Sequence, residues 1–335
     1  MPDAYTRLCT TLGLGAPTEK PRPVRGGLLH QSWRVNTAKG SYLFKKLQRA
    51  ITKQDGALDR YRASERLAAS LAKHGVSAVG ALAKKGEPVQ TDAGHHWLVF
   101  PWVEGEPIAS RDVAKTHTYR IGRELYAIHA SAQALEGLGV VEEPFVPEAT
   151  WTGLTRTAAS SGAPWTTDLA TTRGAMREVN AQAEAAARSW TRPAVASHRE
   201  LAPGNVLWTA AGEPVLIDWE AAGWIHPEFE VVRAAFEWSE DGHGVLDQAR
   251  FTALLKGYRE AGGTLTERAS LLVDAALGSR LPWVAYSMRR ALGEEGKKPD
   301  KRERAHEEAM HALGAWRRLV SQRGDCLSWV RKAAG

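Results

Sequence analysis

Apolar residues fall into short extended runs over roughly the first hundred positions and then recur at helical spacing, and that change of pattern constrains the fold most. After a helical opening, Trp33 to Thr37 and Ser41 to Leu47 are extended runs joined by Ala-Lys-Gly, which predicts a hairpin. Asp59 to His74 places Tyr61, Leu67 and Leu71 at helical spacing, with Gly75 as the C-terminal stop. Trp97 to Val103 is a continuously apolar strand ending at Glu-Gly-Glu-Pro. Beyond it, Val113 to Ala134, Thr171 to Ser189 and Gln248 to Ala261 read as helices. Two segments interrupt them: Val195 to Trp208, a strand entering a loop, and Pro214 to Asp218, a short buried strand followed by another loop. The expected architecture is therefore α+β with two lobes, a small β-rich lobe over 1–103 and a larger helical lobe over 104–335, joined through Glu104 to Pro107. A chain of 335 residues suits two lobes better than one core.

Composition excludes several classes. With 43% apolar and 24% charged residues the chain is an ordinary globular one. Its longest uncharged stretch, Leu201 to Gly212, is far below the roughly 20 residues that span a bilayer, so no membrane association is expected. The opening Met-Pro-Asp-Ala-Tyr-Thr-Arg has no basic region leading into an apolar run, so no secretory signal is expected. Cys9 and Cys326 are too few for a disulfide framework or a zinc site, and a reducing cytoplasm is the expected compartment. The adjacent His95 and His96 point to opposite faces of a strand and do not share an ion. The basic stretch Arg289 to Arg304 lacks interleaved aromatics, so it reads as a solvated helical face and no nucleic acid is expected as partner.

The sharpest local pattern is Ser197-His198-Arg199-Glu200-Leu201-Ala202-Pro203-Gly204-Asn205, followed by Ile217-Asp218-Trp219-Glu220. A loop presenting a carboxylate and, five residues on, an amide sets both beside one phosphate. Asp218, leaving a buried strand, supplies a hard oxygen of the kind Mg²⁺ prefers. Phosphoryl transfer needs mainly such positioning and charge neutralisation.

These segments resemble the catalytic and metal-binding loops of the aminoglycoside phosphotransferase and choline kinase family, relatives of the protein kinases. The kinase pattern His-Arg-Asp-Leu, three residues, then Asn is matched by His198, Arg199, Leu201 and Asn205. The resemblance implies a protein-kinase-like fold using ATP and Mg²⁺, with Asn205 and Asp218 as metal ligands and position 200 as catalytic base. His198 and Arg199 complete the catalytic loop, His198 by bonding backbone to hold it. Position 200 departs from the pattern, carrying Glu where the family has Asp. The added methylene moves the carboxylate by about 1 Å, a displacement that can cost on the order of 10²-fold in rate.

In the N-terminal third, Gly26 and Gly27 resemble the turn that covers the nucleotide phosphates, where glycine lets backbone N–H groups approach closely. Tyr42 to Leu47 resembles the strand whose lysine grips the α- and β-phosphates, and Lys45, the first lysine after the apolar run, is the candidate over Lys46. Glu65 falls where the family's lysine-pairing Glu lies. Phe100 and Trp102 belong to the segment whose backbone would hydrogen-bond adenine.

The expected activity is ATP-dependent transfer of the γ-phosphate to a hydroxyl of a small molecule, such as an aminoglycoside, amino alcohol or sugar. Two alternatives stand beside it: a catalytically impaired binding subunit with a protein partner, and a kinase acting on Ser or Thr of a peptide. The charge distribution bears on the acceptor. The overall +6 averages 16 basic against 7 acidic residues over 1–103 with 28 against 31 over 104–335. Between Glu200 and Asp241 nine acidic residues face the single Arg233, which suits a neutral or cationic acceptor. Thirteen tryptophans against six phenylalanines is unusual. Trp208, Trp219, Trp224 and Trp238 fall in or after the loop region, as walls of an acceptor pocket or, the commoner role, as core.

Overall fold

The computed structural model describes residues 3–24, 30–131, 136–140, 144–294 and 302–335. Contacts divide the chain into two units, one of Met1–Ile108, Ala127–Val140 and Val195–Trp224, the other of Ala109–Tyr126, Val141–Ala194 and Ile225–Gly335. This partition differs from a single cut after residue 103, and backbone hydrogen bonds explain why. The Leu216 N–H donates to Ser77 O at 2.7 Å, the Val79 N–H donates to Leu216 O at 3.0 Å, and Glu106 and Trp208 exchange N–H···O bonds of 3.2 and 2.9 Å. The loops carrying the motif residues are thereby stitched to the first unit.

In that unit α1 (Ala4–Leu12) precedes β1 (Arg22–Val24), β2 (Gln31–Thr37), β3 (Gly40–Lys46), α2 (Arg49–Thr52), α3 (Ala57–Lys73), β4 (Gln90–Asp92) and β5 (His95–Pro101). The strands form one antiparallel sheet ordered β1-β2-β3-β5-β4. The expected hairpin is β2–β3, closed by two residues with Thr37 opposite Gly40. Gly40 sits at φ 138°, which a side chain would resist.

Alternation along the strands sends Val35, Phe44, Trp97 and Val99 to one face, where they are sealed by Leu8, Cys9 and Leu14 from α1 and its exit. Tyr5 packs edge-on to Trp33, Phe44 and Trp97 at 5.7 to 5.9 Å. Each large side chain removed from water here contributes about 1.5–3 kcal/mol. The opposite face carries Leu98 with Leu47, Tyr61, Ala81 and Val89, so α3 covers it. The first unit also holds β6 (Val195–Ser197) and the antiparallel pair β7 (Val206–Trp208) and β8 (Pro214–Leu216).

The second unit is helical: α4 (Lys115–Ala130, its last turn in the first unit), α5 (Glu148–Ser161), α6 (Thr166–Arg188), α7 (Pro227–Ser239), α8 (Gln248–Glu260), α9 (Ala269–Gly278), α10 (Leu281–Leu292), α11 (Arg302–Ser321) and α12 (Arg323–Ala334). Nearly every residue of α7 is buried, and it packs on α8 and α9. α4 and α8 cross at two glycines. A Cβ on Gly122 would stand 2.1 Å from Leu254 O, and one on Gly257 would stand 2.0 Å from Tyr119 O. Trp151, Trp165, Trp238 and Trp316 are fully buried here and Trp219 in the first unit, so these tryptophans build core. No helix among the described residues is long and apolar enough to cross a membrane.

Candidate functional site

Lys45 lies opposite Leu98 in the β3–β5 ladder and so shares the face covered by α3. Lys46 takes the other face, its ammonium 5.6 Å from the Trp97 ring centroid. Lys45 Nζ donates to Asp218 Oδ1 at 2.8 Å and to Glu220 Oε2 at 3.1 Å, and its side chain is only 12% exposed. Burial alone would pull its pKa down, but the two carboxylates outweigh that and raise it, so the ammonium stays charged.

Both carboxylates come from the turn after β8. Asp218 adopts a left-handed conformation, φ 60° and ψ 61°, which Asp tolerates better than bulkier residues and which starts a short helical turn at Trp219–Ala221. Trp219 anchors that turn: it is 1% exposed and its indole N–H donates to Leu216 O at 3.2 Å. Glu220 then meets Lys45 and, at 3.0 Å, Nε2 of His30. Burial pushes the Glu220 pKa up, yet the His30 hydrogen bond and the Lys45 charge bring it down to about 2. His30 is itself buried, with Nε2 2.9 Å from Tyr61 Oη and Nδ1 accepting from the Gln48 N–H at 3.1 Å.

The loop over 198–205 is held from within. His198 is fully buried, its Nε2 2.9 Å from Ile217 O and its Nδ1 accepting the Glu200 N–H at 3.3 Å, so one imidazole ties this loop to the strand leading into Asp218. Its ring also packs on Trp219 at 4.5 Å. Arg199, at φ 65°, donates from Nη1 to Val140 O at 2.9 Å. Its guanidinium lies against Gly139 and Gly223, where a Cβ would stand 3.1 and 2.2 Å from Nη1. Arg199 thus braces the loop against backbone. Glu200 is exposed, and its carbonyl accepts from Asn205 Nδ2 at 2.8 Å. With Nδ2 committed, Oδ1 is the Asn205 atom left for a cation.

Donor chemistry fits Mg²⁺. Asp218 and Asn205 offer hard oxygens, and the Asn205 carbonyl accepts the Ile217 N–H at 3.0 Å, which fixes the two loops to each other. Among the described residues no three His, Cys, Asp or Glu side chains gather as a metal site. An ion held here would complete its shell with substrate phosphates and water, as Mg²⁺ favours.

Glu65 is placed differently from its expected role. It is 2% exposed and accepts the Ala81 N–H on Oε2 at 2.7 Å, while Lys45 pairs with Asp218 and Glu220 instead. Burial raises the Glu65 pKa to about 8 against the pull of the Ala81 hydrogen bond and of Lys45. Phe100 packs with Leu47, Tyr61 and Leu98. The Trp102 N–H is taken by Ser41 O at 3.0 Å, so it is not a donor for a base, and its ring lies 4.4 Å under the Arg34 guanidinium. Gly26 and Gly27 lie outside the described residues. Sequence reasoning passed over His30, Tyr61 and Glu220. Glu220 stood inside the Asp-Trp-Glu run and His30 just after the glycine pair, so proximity to a motif was the only available signal.

Solved structures share this architecture. A spectinomycin phosphotransferase crystallised with ADP and spectinomycin matches with a TM-score of 0.66 at 12% identity, covering 94% of this chain and 97% of that one. An amicoumacin kinase in complex with AMP-PNP and Ca²⁺ gives 0.64 at 13% identity and 93% coverage of both chains. The choline kinase LicA from Streptococcus pneumoniae gives 0.61 at 17% identity, with 92% and 98% coverage. The fold is therefore the protein-kinase-like fold of the aminoglycoside phosphotransferases and choline kinases. No curated protein sequence matches this chain. The family profile does: residues 20–264 match the phosphotransferase enzyme family (APH), and the chain belongs to that family.

Proposed function

We propose that the protein transfers the γ-phosphate of ATP to a hydroxyl of a small, neutral or cationic molecule. The observation that carries this reading is the meeting of Lys45 with Asp218 and Glu220, 173 and 175 positions along the chain, beside the loop of Glu200 and Asn205. A charged, nearly buried lysine next to a hard-oxygen pair has the chemistry needed to hold a triphosphate.

In this reading Lys45 donates to phosphate oxygens. Asp218 and Asn205 Oδ1 would hold Mg²⁺, whose charge would offset that of the phosphates. Glu200 accepts the hydrogen bond of the acceptor hydroxyl and takes its proton as the new O–P bond forms and the bond between the β- and γ-phosphates breaks, releasing ADP. His198 and Arg199 keep that loop in place through backbone contacts. The acidic stretch from Glu200 to Asp241 supports a neutral or cationic acceptor, as do neighbours named for choline and spectinomycin.

The test is an ATP titration with and without Mg²⁺, followed by a screen for phosphate transfer to aminoglycosides, amino alcohols and sugars. Mg²⁺-dependent ATP binding and transfer to a member of this panel are expected. Absence of any Mg²⁺-dependent nucleotide binding refutes the proposal. Glu at position 200 favours one second reading, a binding subunit that holds nucleotide without transferring phosphate, and Glu200→Asp separates the two.

A further inference from the structure

Lys45 makes its direct ion pairs with Asp218 and Glu220, while Glu65 on α3, though it feels the lysine's charge, bonds the Ala81 N–H instead. We infer that a chain of contacts replaces a direct pairing with Glu65: Glu220 positions Lys45, and the buried imidazole of His30 positions Glu220. This rests on the reading of Lys45 as the phosphate-holding lysine, and it assigns roles to two residues outside the catalytic and metal-binding loops' expected set.

Three observations support the relay. First, Glu220 Oε2 sits at 3.1 Å from Lys45 Nζ and 3.0 Å from His30 Nε2, so a single oxygen links the two. Second, the imidazole is fixed on both nitrogens. The Gln48 N–H donates to Nδ1, which puts the ring proton on Nε2, between Glu220 Oε2 and Tyr61 Oη. The orientation of the His30 ring is therefore set by the backbone at the end of β3 and by α3. Third, Glu65 is unsuited to the task. Its Oε2 is committed to the Ala81 amide, and it is buried in surroundings that favour its neutral form.

The physical logic is one of position. Asp218 also binds Lys45, but in the proposed function Asp218 must turn to the metal. Glu220 then becomes the carboxylate that keeps the lysine aimed, and it can do so only if its own side chain is held. A buried imidazole pinned through Nδ1 by the Gln48 N–H and presenting Nε2 to Glu220 provides that hold.

Two readouts test the relay in the full chain with His30→Leu, His30→Gln, Glu220→Gln and Glu65→Gln. Trace acetylation of lysines, read by mass spectrometry, reports on Lys45 directly and needs no nucleotide. Labelling of Lys45 relative to Lys46 is expected to rise in His30→Leu and Glu220→Gln, to return toward the wild-type level in His30→Gln, whose amide can donate to Glu220, and to stay at the wild-type level in Glu65→Gln. ATP affinity measured in EDTA is expected to fall in the same order, with circular dichroism confirming that each variant is folded. Increased labelling in Glu65→Gln with none in Glu220→Gln overturns the relay, as does equal labelling in His30→Leu and His30→Gln. If acetylation follows the expected order but no variant, wild type included, binds ATP, the relay stands and the phosphotransfer reading fails.

Discussion

Glu65→Gln is the sharpest perturbation available, because it separates a buried neutral acid from the partner of a lysine. A carboxyl that titrates near 8 when folded and near 4.5 when unfolded binds more protons in the folded state throughout that interval. Stability therefore falls as pH rises, by about 3 kcal/mol between pH 5 and pH 8 from this group alone. Gln retains an oxygen to accept the Ala81 N–H, 2.7 Å away in the wild type, and carries no proton to lose. The variant should match wild type near pH 5 and outlast it near pH 8. At a few degrees per kcal/mol, thermal melts followed by circular dichroism should show it melting roughly 5–10 °C higher at pH 8. A melting temperature equal to or below wild type at pH 8, with the same pH slope, refutes the reasoning: Glu65 would then be ionised and held by a cation.

Three further outcomes follow from the site. Gly223→Ala places a Cβ 2.2 Å from Arg199 Nη1 and 3.1 Å from Gly139 O, so denaturant unfolding should show a loss of about 1–3 kcal/mol; an unchanged midpoint means that Arg199 leaves without consequence. Asp218→Asn removes one of the two carboxylates on Lys45 and, in the proposed function, the charged metal ligand, so ATP affinity measured in excess MgCl₂ should fall toward the value in EDTA, and a preserved difference between the two contradicts the assignment. Glu200→Asp shortens the acid on the exposed loop, so turnover should drop by up to about 10²-fold while ATP affinity holds; a gain in turnover points instead to a loop that had lost its catalytic acid.

Much of the fold was legible because local rules and tertiary packing agree. The β2–β3 hairpin falls where a Gly-closed turn separates alternating residues, and the helix expected over Asp59 to His74 is Ala57–Lys73, ending just before Gly75 at φ 87°. The choice of Lys45 over Lys46 rests on its being the first lysine after the apolar run; strand parity, which that choice did not use, puts Lys45 on the face covered by α3 and Lys46 on the other. The division of the chain was not legible, since it depends on hydrogen bonds from 77–79 to Leu216 and from Glu106 to Trp208. No periodicity records those bonds.

Glu65 shows the limit most clearly. A glutamate on a helix between a lysine strand and a glycine stop has the right address for an ion pair, but address does not decide ionisation. Full burial costs a carboxylate several kcal/mol, and a carboxyl that cannot recover this from a close cation keeps its proton. The cation that could have paired with it is held by Asp218 and Glu220, and the second of these is fixed by a histidine that no sequence pattern connects to it. Which of two acids serves Lys45 is thus settled by the turn after β8, where a left-handed Asp218 and a buried Trp219 deliver Glu220 to the lysine. In the proposed relay a residue inside the Asp-Trp-Glu run takes over a role expected on a helix far upstream, because Trp219 anchors the turn that carries it.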